Sequence, residues 1–170
     1  KGKVFCNSDL SSLEDLTKQS EIFSYDPEYV ATLNDPNYDA HLNIGLLGGF
    51  MTQSQVDFYK WYDKTHGKDE EGNIIECPVK EFSNMSDEWA EEFKKLSKIR
   101  KGCKVTNYSA TYGASANKIA EGADIPLKEA KKLHQAYWDL NWSIKKFAED
   151  RKRKMVDGRE WVYSDFSKIW

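Results

Sequence analysis

Four side chains at equal spacing are the clearest sign of chemistry in this sequence. Arg100, Lys104, Tyr108 and Tyr112 follow one another at intervals of four within RKGCKVTNYSATYG, residues 100–113. In a helix, a step of four advances only about 40° around the axis, so the first three share a face and Tyr112 lies at its edge. Two fixed cations followed by two rings can grip a polyphosphate and stack on a base. Taken alone, an Arg and Lys pair is more often a solvated basic face, and a ring at the end of a helix is more often packed into a core.

The elements that must position these groups follow from apolar spacing and breakers. Residues 3–8, with Val4, Phe5 and Cys6, read as a short strand running into Asp9. From Ser12, Leu13, Leu16 and Ile22 give a helical pattern that Asp26 and Pro27 stop, and a second short helix spans 27–33. Residues 38–47 predict a helix carrying His41, closed by Gly48 and Gly49. Thr52 caps another, striped by Val56, Tyr59, Trp61 and Tyr62, and 64–73 read as an exposed loop before one arm of a hairpin at 74–78.

A long helix is predicted from Ser86 through Trp89, Phe93, Leu96 and Ile99, with a kink or join near Gly102, where glycine costs about 1 kcal/mol relative to alanine. A short helix from Ser115 to Glu121 and a turn lead to one helix from Pro126 to about Arg151, and Asp157-Gly158 signals a hairpin.

Of the 170 residues, 39% are hydrophobic and 31% charged, which suits a soluble globular domain. The longest apolar run, 42–50, contains Asn43 and three glycines and is too short for a bilayer; no signal segment is visible, and the expected location is the cytoplasm. The cysteines, Cys6, Cys77 and Cys103, are odd in number with no CxxC pair, which points to free thiols in a reducing compartment. A net charge of −3 argues against indiscriminate nucleic-acid binding, yet cations crowd 94–104 and 145–154 while acids collect at 69–71 and 87–92. The absence of an initiator methionine and of a tapering tail suggests a piece of something longer.

Residues 9–14, DLSSLE, resemble motif A of the family A DNA polymerases, the DNA polymerase I group, whose usual form is DYSQIE. Residues 100–113 resemble their motif B, Asp39-Ala40-His41 resembles the DIH element between the two, and IPLKEA at 125–130 resembles the segment after the fingers helix. The order is the family's, over most of the chain.

The resemblance implies DNA-directed nucleotidyl transfer with two Mg²⁺ ions about 3.5–4 Å apart, for which carboxylates are suitable hard ligands. Asp9 matches a metal-binding catalytic aspartate, with the Leu10 carbonyl beside it. Leu10, Ser11, Glu14, His41, Arg100, Lys104, Tyr108 and Tyr112 match contacts to the incoming deoxynucleoside triphosphate (dNTP), and Lys104 is also a candidate proton donor to the departing pyrophosphate. Tyr112 and Gly113 match template contacts. Glu14, helped by Tyr112, matches the block against a ribose 2′-hydroxyl, and Tyr108 implies tolerance of dideoxynucleotides.

The implied architecture is mainly α: a palm segment at 1–24, helical fingers at 25–150 and a returning hairpin at 151–170, a fragment of a right-hand polymerase fold. Partners would be primer–template DNA, dNTPs and the remainder of the polymerase. Ser12, Asp15 and Leu16 depart from the usual motif A, and the 58 residues between His41 and Arg100 suggest an insertion at about 53–97, more like a bacteriophage enzyme. Motif C, with the second metal-binding aspartate, has no match between Ile144 and Trp170, so this piece alone is expected not to polymerise DNA. Two other readings stay open: a single-subunit RNA polymerase, disfavoured by Glu14 and Tyr108, and a non-catalytic module that holds nucleotide or single-stranded nucleic acid.

Overall fold

The computed structural model describes residues 13–164 and 167–170, except for the Glu14 side chain. The expected strand at 3–8 and the candidates Asp9, Leu10 and Ser11 lie outside the described residues, as does the Ser12 cap. Among those described, the chain is mainly α, with eight α-helices and a C-terminal two-stranded hairpin. No described helix is long and apolar enough to cross a membrane.

The contacts divide the chain into two units, Asn37–Asn141 and a second made of Lys1–Pro36 with Trp142–Trp170. The expected fingers range of 25–150 contains the whole of the first.

In the two-part unit, α1 (Leu13–Ile22) and α2 (Pro27–Leu33) form where the pattern predicts. Asp26 stops the first and caps the second by accepting from the Tyr29 N–H at 3.0 Å. Helix α8 (Trp142–Asp150) packs on α1, with Phe147 against Tyr25 and Arg151 3.6 Å from Glu21. The hairpin of β1 (Arg153–Val156) and β2 (Arg159–Val162) turns at Asp157 and Gly158, both with positive φ, as a two-residue turn matching strand twist requires.

In the Asn37–Asn141 unit, α3 (Ala40–Leu47) begins at Asp39 and closes at Gly48. Thr52 and Gln55 form a reciprocal capping box for α4 (Gln53–Thr65). The predicted hairpin arm at 74–78 is absent: a single bridge pairs Lys68 with Ile74, after which Ile74 is exposed, Cys77 is buried and Pro78 has no N–H to extend a ladder. The Asp69 carboxylate, accepting from the Glu71 and Asn73 N–H groups, closes the loop instead.

Helix α5 (Trp89–Thr111) is continuous through Gly102, which corrects the expected kink. Leu96, Cys103, Thr106 and Ala110 are buried along it, and packing on both sides of the glycine outweighs its weak propensity. Helix α6 (Ala116–Ala123) then leads to α7 (Leu127–Leu140). The single long helix expected at 126–151 is instead α7 and α8, parted at the buried Asn141, whose Nδ2 and backbone N–H both donate to the Tyr137 carbonyl, at 2.8 and 2.9 Å.

The core of this unit is aromatic. Phe58 stacks on Phe82 at 4.4 Å, Tyr59 on Phe93 at 4.8 Å, and Trp61 meets Trp89 edge-on at 4.9 Å. All six rings come from 53–97, the stretch expected to be an insertion, so that stretch builds the core against which α5 packs.

Candidate functional site

The site assembles where α3 packs against α5. Gly45 allows the approach: a Cβ there would lie 3.3 Å from both Cys103 Sγ and Met51 Sδ, tighter than ordinary contact. On α5, the spacing of four separates the faces as predicted. Lys104 is exposed and Arg100 and Tyr108 half-buried, while Gly102, Cys103, Thr106 and Asn107 turn inward.

Asp39 joins the two helices. Its Oδ1 accepts from the His41 and Leu42 N–H groups, both at 2.9 Å, capping α3. Its Oδ2 accepts from Arg100 Nε at 3.0 Å and Nη2 at 2.7 Å. Arg100 also lies over the Tyr59 ring, 5.9 Å from its centre. Burial opposes the charged form of Asp39, but the Leu42 N–H and the Arg100 guanidinium outweigh it, and its carboxyl is held below the ordinary 3.8. Arg100 is likewise held more firmly charged: burial works against it, and the hydrogen bond and charge of Asp39 prevail.

Beyond this pair, the His41 and Tyr108 rings are 5.7 Å apart, and Lys104 Nζ lies 5.9 Å from the centre of the Tyr108 ring. The structure therefore brings together His41, Arg100, Lys104 and Tyr108, although His41 lies 59 positions before Arg100. Tyr112 ends α5 with 74% of its surface exposed, so it is not a buried core ring, and Gly113 follows with φ of 79°. Beneath the site the Cys103 thiol is pushed up to about 12, first by burial and then by the charge of Asp39, which leaves it unreactive.

Glu14 lies in α1, in the other unit, and its side chain is outside the described residues. Among the described residues no group of three His, Cys, Asp or Glu side chains is arranged to hold a metal ion. What the described site can do is bind an anion and a flat ring.

Asp39 and Tyr59 belong to the DIH-like element and to an apolar stripe in the sequence, but their contacts with Arg100 are not indicated by motif spacing. An Asp before a helical run signals a cap, but a partner 61 positions away leaves no local trace. In comparisons with family models, curated proteins and solved structures, nothing matches this chain.

Proposed function

We propose that the chain is the fingers and first palm segment of a family A DNA polymerase, and that the surface of α3 and α5 binds the incoming dNTP. The observation that supports this reading most is the convergence of His41, Arg100, Lys104 and Tyr108 from two distant stretches. Arg100 already holds an oxyanion, the Asp39 carboxylate, through two N–H donors, and the same fork suits a phosphate. Lys104, exposed one turn later, would add a mobile second cation and hold the proton that a departing pyrophosphate needs. Tyr108 would lie along sugar and base, and Tyr112 would stack near the template.

Mg²⁺ belongs to this reading through Asp9 and Leu10, and would supply charge neutralisation at the reacting phosphates. The described residues contribute binding and orientation. Primer–template DNA and the rest of the palm are the partners the reading requires.

Titration of the 170-residue chain with a fluorescent dATP analogue, with and without Mg²⁺, tests it. Arg100→Ala and Lys104→Ala should each weaken binding about 10-fold or more, as loss of a charge-assisted hydrogen bond does. Saturable binding that neither substitution changes would remove the assignment. Binding that is equally tight without Mg²⁺ would favour a non-catalytic nucleotide-binding module over the polymerase.

A further inference from the structure

The hairpin has two unlike faces. In an antiparallel ladder, residues opposite one another share a face, and successive pairs alternate. The register pairs Lys154 with Trp161 and Val156 with Arg159, and the Tyr163 N–H donates to the Lys152 carbonyl one step beyond. One face therefore carries Lys152, Lys154, Val156 and Arg159 with Trp161 and Tyr163. The other carries Arg153, Met155, Glu160 and Val162, with Arg153 and Glu160 joined at 3.2 Å.

The chain's last described residues add a third ring to the first face. The Ser164 N–H donates to the Ile169 carbonyl at 2.8 Å, and the segment returns so that Trp170 lies 5.4 Å from Tyr163 and its ring 4.2 Å from Lys154 Nζ. Lys152 lies 5.4 Å from the Tyr163 ring centre. The face thus holds three cations and three rings and, among the described residues, no acidic side chain. Both strands are exposed along their whole length, Trp161 at 43%.

We infer that this face is a binding surface for a single strand of nucleic acid. Rings that alternate with cations match an occupant that alternates bases with phosphates, and stacking needs base faces that a duplex hides. Trp161 and Tyr163, two positions apart on one strand, lie about 6.6 Å apart along it, so each can take a separate base. Charge complementarity supports the same occupant, because the cations of this face oppose no acid there while the chain as a whole is negative. An anionic lipid surface would engage several aliphatic side chains together with cations, but the ladder places only Val156 on this face, and Met155 and Val162 stand on the opposite one beside the Arg153–Glu160 pair.

Fluorescence anisotropy of a labelled twelve-residue oligothymidine, titrated with the 170-residue chain across a salt series, tests the inference. Trp161→Val, which keeps a strand-forming residue, should weaken binding about 5-fold or more. Lys154→Gln, which leaves every ring in place, should reduce the slope of log affinity against log salt by about 0.7. Met155→Thr on the other face should stay within about twofold. Equal losses for Met155→Thr and Trp161→Val would overturn the inference. So would binding to phosphatidylserine vesicles with none to the oligothymidine.

Discussion

Asp39 divides its two oxygens between tasks, one capping α3 and the other holding Arg100. Because its carboxyl titrates below 3.8 in the folded chain, the pair contributes stability that is fully present above that value and is lost as pH falls through the lower, folded one. The expected result is that Asp39→Asn, which removes the titration, flattens the pH dependence of the urea midpoint below about pH 4. Asp39→Ala should in addition lose about 1–2 kcal/mol at pH 7 through the missing cap. A wild-type midpoint as steep below pH 4 as that of Asp39→Asn would mean that other carboxylates carry the acid sensitivity. At this scale the sequence disclosed what local spacing controls: the shared face of Arg100, Lys104 and Tyr108 is a property of one helix. The Asp39 contact depends on how two helices pack, and nothing in either stretch announces it.

Helix α5 shows why propensity misleads at one position and informs at another. Gly102 is buried with an ordinary helical φ, yet among the described residues nothing lies within 4 Å of a Cβ placed there, because it borders a recess of about 230 Å³ lined by Phe50, Ile99, Pro126 and Leu133. The glycine is therefore neither a hinge nor a steric necessity. Gly102→Ala should raise stability by about 0.5–1 kcal/mol in urea unfolding, since alanine restricts the unfolded chain and fits the helix. Gly67 behaves in the opposite way: its φ is 71°, and a Cβ would meet Trp89 at 2.8 Å, so Gly67→Ala should destabilise by more than about 1 kcal/mol. If the two substitutions moved the midpoint in the same direction, this account of α5 would fail. The hairpin, by contrast, was readable because Asp157-Gly158 supplies positive φ in a way few other pairs do. The break at Asn141 was not, since an asparagine at that point of a helical pattern looks like an ordinary polar surface residue, whereas it is fully buried.

At the scale of the whole molecule, the aromatic core lies inside the Asn37–Asn141 unit and depends on the 53–97 stretch that the sequence suggests is an insertion. The charged and aromatic composition of that stretch does not show which rings turn inward; Phe58, Phe82 and Trp89 do. A polypeptide of residues 37–141 should accordingly fold alone, with a cooperative urea transition and a near-ultraviolet circular dichroism signal from its packed rings. A polypeptide of 37–141 lacking 66–88 should lose both, because Phe82 and Cys77 leave the core and Phe58 loses its stacking partner. The division also orders events during synthesis. The inner unit leaves the ribosome complete, whereas α1 must wait for α8, which follows it. At about 5–20 residues per second the 29 residues 142–170 take roughly 1.5–6 s to add, longer than a helical unit needs to close. During that interval α1 has no α8 to pack on, so the nascent chain passes through a stage in which α1 is available to chaperones while the 37–141 unit is already native.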